Sequence, residues 1–390
     1  MDRHFVLGAL CIVALAANGI EAAPRQTEKR FDALHQTSSA SGEAEITAQR
    51  IQAHVSWLAS DDNRGRATGK GQLENRVGPY IEAELSALGF APKGDAAGTT
   101  YRQPFYARSW GDPGTHNHGG DKLDPKNWGV VPNEHGVALD RAGKPVTMAP
   151  LPASRMALLS KAAAAPAPNT YNLVAFLEGK DPAKKNEIVV MGAHMDHIGE
   201  RSFGGGDRVY NGADDNGSGT TALLTICRAL ARDRELGNGP ARSVLICFFS
   251  GEELGLLGSQ YFAGKPTVDF SRIKSMLNID MIGRAQEGKV SVCDDLERGG
   301  PNAFHALHDT AGTQLSAVDH NIAAYMRRSD QYPFFARGVP VIFFFEGFES
   351  NGRMNPDYHG LGDHVEKLNI PKMQDIVRFA YRHLLGAANL

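Results

Sequence analysis

The sequence at residues 188–197 is IVVMGAHMDH, and at residues 244–253 it is VLICFFSGEE. Each stretch starts with a continuous apolar run, which is typical of a parallel strand buried on both faces. The segment between them predicts a helix from about residue 219 to residue 232. Strands that alternate with helices in this way predict an α/β fold with a mostly parallel central sheet.

The same alternation continues on both sides of these two stretches. Apolar runs predict further strands at residues 173–176, 276–279, 290–292 and 339–345. Apolar residues at helical spacing predict helices at residues 46–59 and 72–88. The last helix is predicted to begin near Asn369, with Pro371 in its first turn. Together these elements predict a three-layer α/β/α domain.

The first 44 residues precede this domain. Arg3 and the apolar stretch from Phe5 to Ala17 are typical of a signal peptide, since the stretch is shorter than the roughly 20 residues that span a bilayer. We expect residues 1–22 to be removed after Ala22, and the protein to be secreted or periplasmic. Residues 23–44 are polar without a period and are predicted to be a disordered leader.

The predicted domain covers residues 45–390 and contains one irregular region. Residues 106–170 are rich in Pro, Gly and Ala and have weak periodicity, which predicts an insertion or a small lobe. Three histidines of this region, at positions 116, 118 and 135, are expected to be surface residues.

Charge and cysteine usage limit the possible partners and cross-links. The formal net charge of the 390 residues is -3, and no polybasic run is present, so we expect neither nucleic acid nor a membrane as a partner. After the predicted cleavage the cysteines are Cys227, Cys247 and Cys293, an odd number that does not indicate a disulfide framework. One disulfide among them stays an open alternative.

Acidic and imidazole side chains follow the predicted strands at their carboxyl ends, where α/β sheets bind ligands. The side chains that directly follow or lie beyond predicted strands are those of His194, Asp196, Glu252, Glu253, Asp280 and His359. Asp214 and Asp215 lie between the first two of these strands, just ahead of a predicted helix. Carboxylates placed together repel one another unless cations lie among them. Imidazole with carboxylate suits zinc, and two bridged metals could activate one water molecule.

These motifs resemble the M28 zinc exopeptidases, a family that includes bacterial leucyl aminopeptidases and aminopeptidase Y. The resemblance covers roughly residues 171–385 and, more loosely, residues 46–105, where Gly65 and Arg66 are similar. The motifs occur in the family's order: AHMDH at 193–197, GADDNGSG at 212–219, GEELG at 251–255, NIDM at 278–281 and YH at 358–359.

The resemblance implies two Zn²⁺ ions per chain. Asp214 would bridge both ions, His194 and Asp280 would complete one, and Glu253 and His359 would complete the other. The family also places a cis peptide bond between Asp214 and Asp215.

The resemblance further implies roles for residues that are not metal ligands. Glu252 would be the general base, which takes a proton from the bridging water and passes it to the leaving amine. Asp196 would orient His194, and Asp363 would do the same for His359. At Gln331 the chain departs from the family, where a histidine is expected close to the substrate pocket.

The resemblance therefore predicts a secreted metallo-exopeptidase that hydrolyses terminal peptide bonds, in particular an aminopeptidase. Carboxypeptidase action, or glutaminyl cyclase-like action with one zinc, stays open on the same site, although five ligands favour two metals and hydrolysis. A peptidase-like binding domain without activity is a further alternative. Such a domain is expected to lose ligands or the base, and this chain keeps both.

Overall fold

A computed structural model of the chain describes residues 41–107, 138–139, 145–146, 167–284, 289–294, 315, 317–319, 325–347 and 354–390. The predicted signal peptide, most of the leader and nearly all of the insertion, with its three histidines, lie outside the described residues. In the described part, the strands are β1 (Ala91–Pro92), β2 (Arg102–Phe105), β3 (Ala138–Leu139), β4 (Pro145–Val146), β5 (Thr170–Leu177), β6 (Ile188–His194), β7 (Ser243–Phe249), β8 (Ile273–Asp280), β9 (Lys289–Asp294), β10 (Ala317–Asp319) and β11 (Val341–Phe345).

The strands form one large sheet in the order β1-β5-β7-β6-β8-β11-β9-β10, with β2 also paired to β5. The central strands β7, β6, β8 and β11 are parallel, as predicted. Strands β5 and β9 pair antiparallel with β7 and β11. A separate pair, β3 and β4, forms a small antiparallel sheet.

The register of the central strands brings their carboxyl ends together. His194 at the end of β6 lies opposite Phe249 at the end of β7, and Phe345 of β11 lies opposite Asp280 of β8. The residues that follow these strands therefore meet at one edge of the sheet, as the sequence predicted.

Helices cover both faces of the sheet. In the described part they are α1 (Ala48–Leu58), α2 (Gly78–Ala87), α3 (Gly219–Glu235), α4 (Leu257–Gly264), α5 (Gln331–Ala336) and α6 (Ile370–Asn389). The predicted helix at 72–88 is in fact a π-helical turn, Leu73–Val77, that continues into α2. Helix α6 begins as predicted, since the Asn369 side chain accepts a hydrogen bond from the Lys372 N–H.

Two separate cores explain the three layers. Neighbouring residues of a strand point to opposite faces, so Val189 and Met191 pack with apolar residues of α1, α2, α3 and α6. Ile188 and Val190 pack on the other face with Phe262 of α4 and residues of α5. The predicted three-layer α/β/α architecture is confirmed.

The folded domain begins before the predicted boundary at residue 45. Residues Gly42–Glu45 form a 3₁₀ helix, and the Gly42 N–H donates to Asp233 Oδ1 at 2.7 Å. Glu43 pairs with Arg382 at 2.6 Å. The leader predicted for residues 23–44 therefore has to end earlier, because these contacts hold its last residues against α3 and α6.

Two of the cysteines are free thiols. Cys227 and Cys247 are buried and unpaired, as expected for small apolar side chains. The side chain of Cys293 is not described. Among the helices in the described ranges, none combines the length and the apolar character needed to cross a membrane.

Candidate active site

The first group of site residues lies around His194. His194 Nε2 is 3.4 Å from Asp280 Oδ1 and 3.5 Å from Asp215 Oδ1. Asp280 ends β8, and Asp215 lies in the π-helical turn Ala213–Ser218 that precedes α3. These three buried side chains offer ligand atoms close enough to hold one metal ion.

The second group shares Asp215 with the first. His359 Nε2 lies 3.0 Å from Asp215 Oδ2 and 3.0 Å from Glu253 Oε2. His197 Nδ1 lies 2.9 Å from Glu253 Oε1, and His197, Asp215 and Glu253 could also hold a metal ion. The two carboxylate oxygens of Asp215 thus face two different groups of ligands.

The residue between the two groups is therefore Asp215, and the prediction of Asp214 was wrong by one residue. Asp214 Oδ1 accepts hydrogen bonds from the Gly283 N–H at 2.8 Å and the Ser218 hydroxyl at 3.2 Å. Consecutive side chains in this irregular turn point in different directions, and that of Asp214 binds the loop after β8. The cis peptide bond is likewise one residue later, between Asp215 and Asn216.

Asp363 holds the backbone of this turn. Its carboxylate accepts hydrogen bonds from the N–H groups of Asp214 and Asp215, each at 3.0 Å. The sequence predicted that Asp363 would orient His359. Its described hydrogen bonds instead fix the peptide units that carry the shared carboxylate.

Asp196 lies beside His194, as predicted. Asp196 Oδ1 is 3.6 Å from His194 Nδ1 and accepts a hydrogen bond from the Glu252 N–H at 3.3 Å. His194 Nδ1 is also within 3.2 Å of the Asp196 carbonyl oxygen. The Glu252 side chain belongs to neither candidate metal group, so it is available for a different role.

Burial and neighbouring charges shift the pKa values of several side chains of the site. Burial alone would lower the pKa of His194, but the carboxylates of Asp280 and Glu252 raise it well above the usual range. Burial would likewise lower the pKa of His359, yet Glu253 and Asp215 raise it to about 11. Burial raises the pKa of the Glu252 carboxyl well above its usual range, and Glu253 adds to the effect. The site therefore favours cations.

The donor set fits zinc. Asp215 Oδ2 and Asp280 Oδ1 are buried, and within the described residues neither atom accepts a well-directed hydrogen bond. A buried carboxylate oxygen without a donor is costly, and a cation removes that cost. Imidazole nitrogens beside carboxylate oxygens are common zinc ligands.

Gln331 lies in a buried network behind Asp280. The Ser329 hydroxyl donates to Asp280 Oδ2 at 2.7 Å. The amide of Asn278 donates to both Ser329 Oγ and Gln331 Oε1, each at 2.9 Å. Gln331 in turn donates to the Met326 carbonyl at 2.8 Å. The departure from the family at this position therefore falls on a residue that supports a candidate ligand.

Sequence reasoning missed two further residues at the site, Arg66 and Thr68. Both lie in the charged loop at residues 60–71, which has no periodicity to indicate burial. Arg66 is 1% exposed and Thr68 is 6% exposed. The similarity of Gly65 and Arg66 to the family was the signal that could have led to them.

Comparison with known proteins places this geometry in a family. The model of peptidase family M28 matches residues 172–383, more than half of the chain. A probable leucine aminopeptidase of Trichophyton verrucosum is 33% identical over 205 residues, which are 51% of this chain and 55% of that protein. The chain thus spans about half the length of this curated relative.

Solved structures share the fold. A zinc aminopeptidase from Bacillus subtilis superposes with a TM-score of 0.56 at 18% identity, over 88% of this chain and 96% of that one. A glutaminyl cyclase from Porphyromonas gingivalis superposes with a TM-score of 0.53 at 17% identity, over 87% of this chain and 97% of that one. With the family match to residues 172–383, the strand-end carboxylates and imidazoles lead to one conclusion: the chain belongs to peptidase family M28.

Proposed function

We propose that this protein is a secreted two-zinc aminopeptidase that removes single residues from the amino ends of peptides. One observation carries the proposal: Asp215 directs Oδ1 towards His194 at 3.5 Å and Oδ2 towards His359 at 3.0 Å. A carboxylate with one oxygen in each of two ligand groups is suited to bridging a pair of metals.

The ligand assignment follows from this arrangement. His194, Asp215 and Asp280 would hold one zinc ion, and Asp215, Glu253 and His359 would hold the other. The His197 Nδ1–H donates a hydrogen bond to Glu253 Oε1 at 2.9 Å and so orients that ligand. Two further carboxylates hold these ligands in place. Asp196 lies beside His194, and Asp363 accepts a hydrogen bond from the Asp215 N–H.

Glu252 is the general base of the proposed reaction. When bound, zinc lowers the pKa of a water molecule and polarises the scissile carbonyl group. The Glu252 carboxylate would accept a proton from the attacking water molecule and pass it to the leaving amine. The hydrogen bond from the Glu252 N–H to Asp196 keeps the base next to His194 while its side chain stays clear of the ligand set.

Action at amino ends is supported by the relatives. The matching curated proteins include leucine aminopeptidases and a leupeptin-inactivating enzyme from Streptomyces exfoliatus. The fold is also shared with a glutaminyl cyclase, which keeps cyclisation as the second candidate. Two complete groups of ligands favour hydrolysis with two metals over a reaction with one. Export rests on the amino-terminal sequence, with residues 1–22 as the signal peptide.

The test is a paired measurement on the purified mature protein. The number of zinc ions per chain is measured first. Turnover is then measured with amino-acid anilides that have a free amine, with dipeptides that detect cleavage at the carboxyl end, and with a peptide that has an amino-terminal glutamine. We expect about two zinc ions and release from the free-amine substrates that chelators abolish. Cleavage only at carboxyl ends, or cyclisation with one zinc, would replace the proposed activity.

A further inference from the structure

The segment Gly65–Thr68 lies against the site although it precedes the region matched by the family model. The His197 N–H donates to the Arg66 carbonyl at 3.2 Å, and the Gly199 N–H donates to the Gly65 carbonyl at 2.9 Å. A Cβ atom on Gly65 would lie 2.1 Å from the Gly199 carbonyl oxygen. Only glycine permits this close approach, which brings the segment next to the residues that follow β6.

Arg66 fixes the segment in this position. Its buried guanidinium donates to backbone carbonyls on three sides of the site: Leu58 at 3.0 Å, Met195 at 3.3 Å, Asn211 at 2.6 Å, Gly212 at 2.8 Å and Asp215 at 3.4 Å. A planar guanidinium can satisfy several acceptors in fixed directions, which an ammonium group cannot do. Arg66 thereby ties the loop after β6 to the turn that carries Asp215.

Thr68 connects the two loops that carry the proposed base and its neighbour. Its hydroxyl donates to Asp196 Oδ2 at 2.9 Å and accepts from the Gly251 N–H at 2.8 Å. Asp196 uses its other oxygen to accept from the Glu252 N–H and to face His194 Nδ1. A single hydroxyl thus closes a ring of hydrogen bonds through Asp196, Glu252 and Gly251.

This ring of hydrogen bonds holds three groups in place: two peptide N–H groups and one carboxylate. Two successive peptide N–H groups, of Gly251 and Glu252, are held at the start of the loop after β7. The Asp196 carboxylate is held in the orientation in which it faces His194. Without the hydroxyl, the Gly251 N–H and one oxygen of Asp196 would lose a buried partner, and both loops would be free to shift.

We propose that Thr68, held in place by Arg66, is a positioning residue that sets Glu252 and His194 for the reaction. The inference rests on the proposed function, and it extends the working site to a segment outside residues 172–383. Thr68 belongs to neither candidate metal group, and its hydroxyl bonds to Asp196 and to the Gly251 N–H. Its effect therefore passes through Asp196 and through the backbone of Gly251 and Glu252.

The test compares Thr68→Val with Thr68→Ser in the full mature protein. Valine keeps the shape of threonine and removes the hydroxyl, whereas serine keeps the hydroxyl. We expect Thr68→Val to lower kcat by about 10- to 100-fold, while KM changes by less than about 3-fold. We expect Thr68→Ser, which keeps the hydroxyl, to retain a kcat within about 3-fold of the wild type. Thr225→Val, which removes a buried hydroxyl bonded within α3, is the matched control and should leave kcat unchanged.

Zinc affinity gives a readout that does not depend on turnover. Titration against a competing chelator should show that Thr68→Val weakens one of the two zinc ions by about 10-fold or more, because His194 is less well oriented. The ion held by Glu253 and His359 should keep its affinity. If Thr68→Val does not fold, Thr68→Cys takes its place, and its weaker hydrogen bonds should give an intermediate kcat.

The outcomes separate this inference from the proposed function. A wild-type protein without zinc and without turnover would overturn the proposed function and the inference with it. A wild-type protein with two zinc ions and full turnover, beside a Thr68→Val variant with unchanged kcat and zinc affinity, would overturn only the inference. Equal losses in Thr68→Val and Thr68→Ser would also overturn it, since the hydroxyl would then not be responsible.

Discussion

Asp215 Oδ2 and His359 Nε2 lie 3.0 Å apart, while the other carboxylate oxygen of Asp215 faces His194 at 3.5 Å. This one side chain therefore joins the last residues of β6 and β8, His194 and Asp280, to the loop that carries His359. The neighbouring Asp214 points away and binds the backbone of Gly283. Substitution of Asp215 should therefore affect the site very differently from substitution of Asp214.

The first prediction compares Asp215→Asn with Asp214→Asn. Asp215→Asn removes a charge from both ligand groups, so we expect it to lose most of its zinc and its activity. Burial and the nearby Asp363 raise the pKa of Asp214 well above its usual range. Its Oδ1 accepts hydrogen bonds from two uncharged donors, the Gly283 N–H and the Ser218 hydroxyl, so the oxygen of an amide can take its place. Asp214→Asn should therefore keep both zinc ions, as measured by metal analysis of the purified variants. Loss of zinc in Asp214→Asn with retention in Asp215→Asn would reverse the assignment.

A second prediction concerns the base. Glu252→Gln keeps the size of the side chain and the backbone hydrogen bond to Asp196, but it cannot accept a proton. We expect a folded, zinc-loaded protein whose kcat falls by about 10²- to 10⁴-fold. Zinc content and thermal unfolding serve as controls for the intact site. Turnover above about a tenth of the wild-type value would exclude Glu252 as the general base.

The third prediction concerns removal of the metal. The buried oxygens of Asp215 and Asp280 lose their counter-charge when zinc is withdrawn, and ligand binding to the folded state alone stabilises it. Dialysis against a chelator should therefore lower the melting temperature by several degrees, and zinc should restore it. The same treatment of Asp215→Asn should produce a much smaller shift. An unchanged melting temperature of the wild type after complete removal of zinc would contradict this account.

A fourth prediction concerns stability against pH, away from the site. Burial of Glu84 in α2 raises its pKa to about 7, with Arg228 opposing the effect. A raised carboxyl pKa contributes stability that is complete below the ordinary value and is lost as pH rises through about 7. Since each pKa unit corresponds to about 1.4 kcal/mol, Glu84→Gln should be more stable than the wild type at pH 8 by up to a few kcal/mol.

The advantage of Glu84→Gln should shrink to below about 1 kcal/mol near pH 5, because the wild-type carboxyl is then protonated in the folded protein and the pH is close to the ordinary pKa of 4.5. Thermal unfolding at both pH values measures the difference. Glu366→Gln, which removes an exposed carboxyl, is the control for loss of charge alone. An equal effect of Glu84→Gln at pH 5 and pH 8 would show that the carboxyl does not ionise with a raised pKa.

The sheet and most of the site could be predicted from the sequence because continuous apolar strands leave a clear pattern. The ends of β6, β7 and β8 were therefore located, and with them His194, Glu252, Glu253 and Asp280. The choice between Asp214 and Asp215 could not be made in this way, because the direction of a side chain in a π-helical turn depends on backbone angles that spacing does not reveal.

Arg66 and Thr68 were missed for a different reason. A charged, glycine-rich loop is typical of exposed chain, and burial of its arginine depends on carbonyl groups about 130 to 150 residues further along the sequence. Only the folded structure brings these acceptors together. The predicted leader was extended too far for a similar reason, since Gly42 and Glu43 are held by residues of α3 and α6.

The most direct test of the central claim is zinc anomalous scattering from crystals of the mature protein. We expect two zinc peaks, each within about 2.0 to 2.2 Å of a different carboxylate oxygen of Asp215. His194 and Asp280 should complete one ion, and Glu253 and His359 the other. A single peak, or a bridging position at Asp214 in place of Asp215, would contradict it.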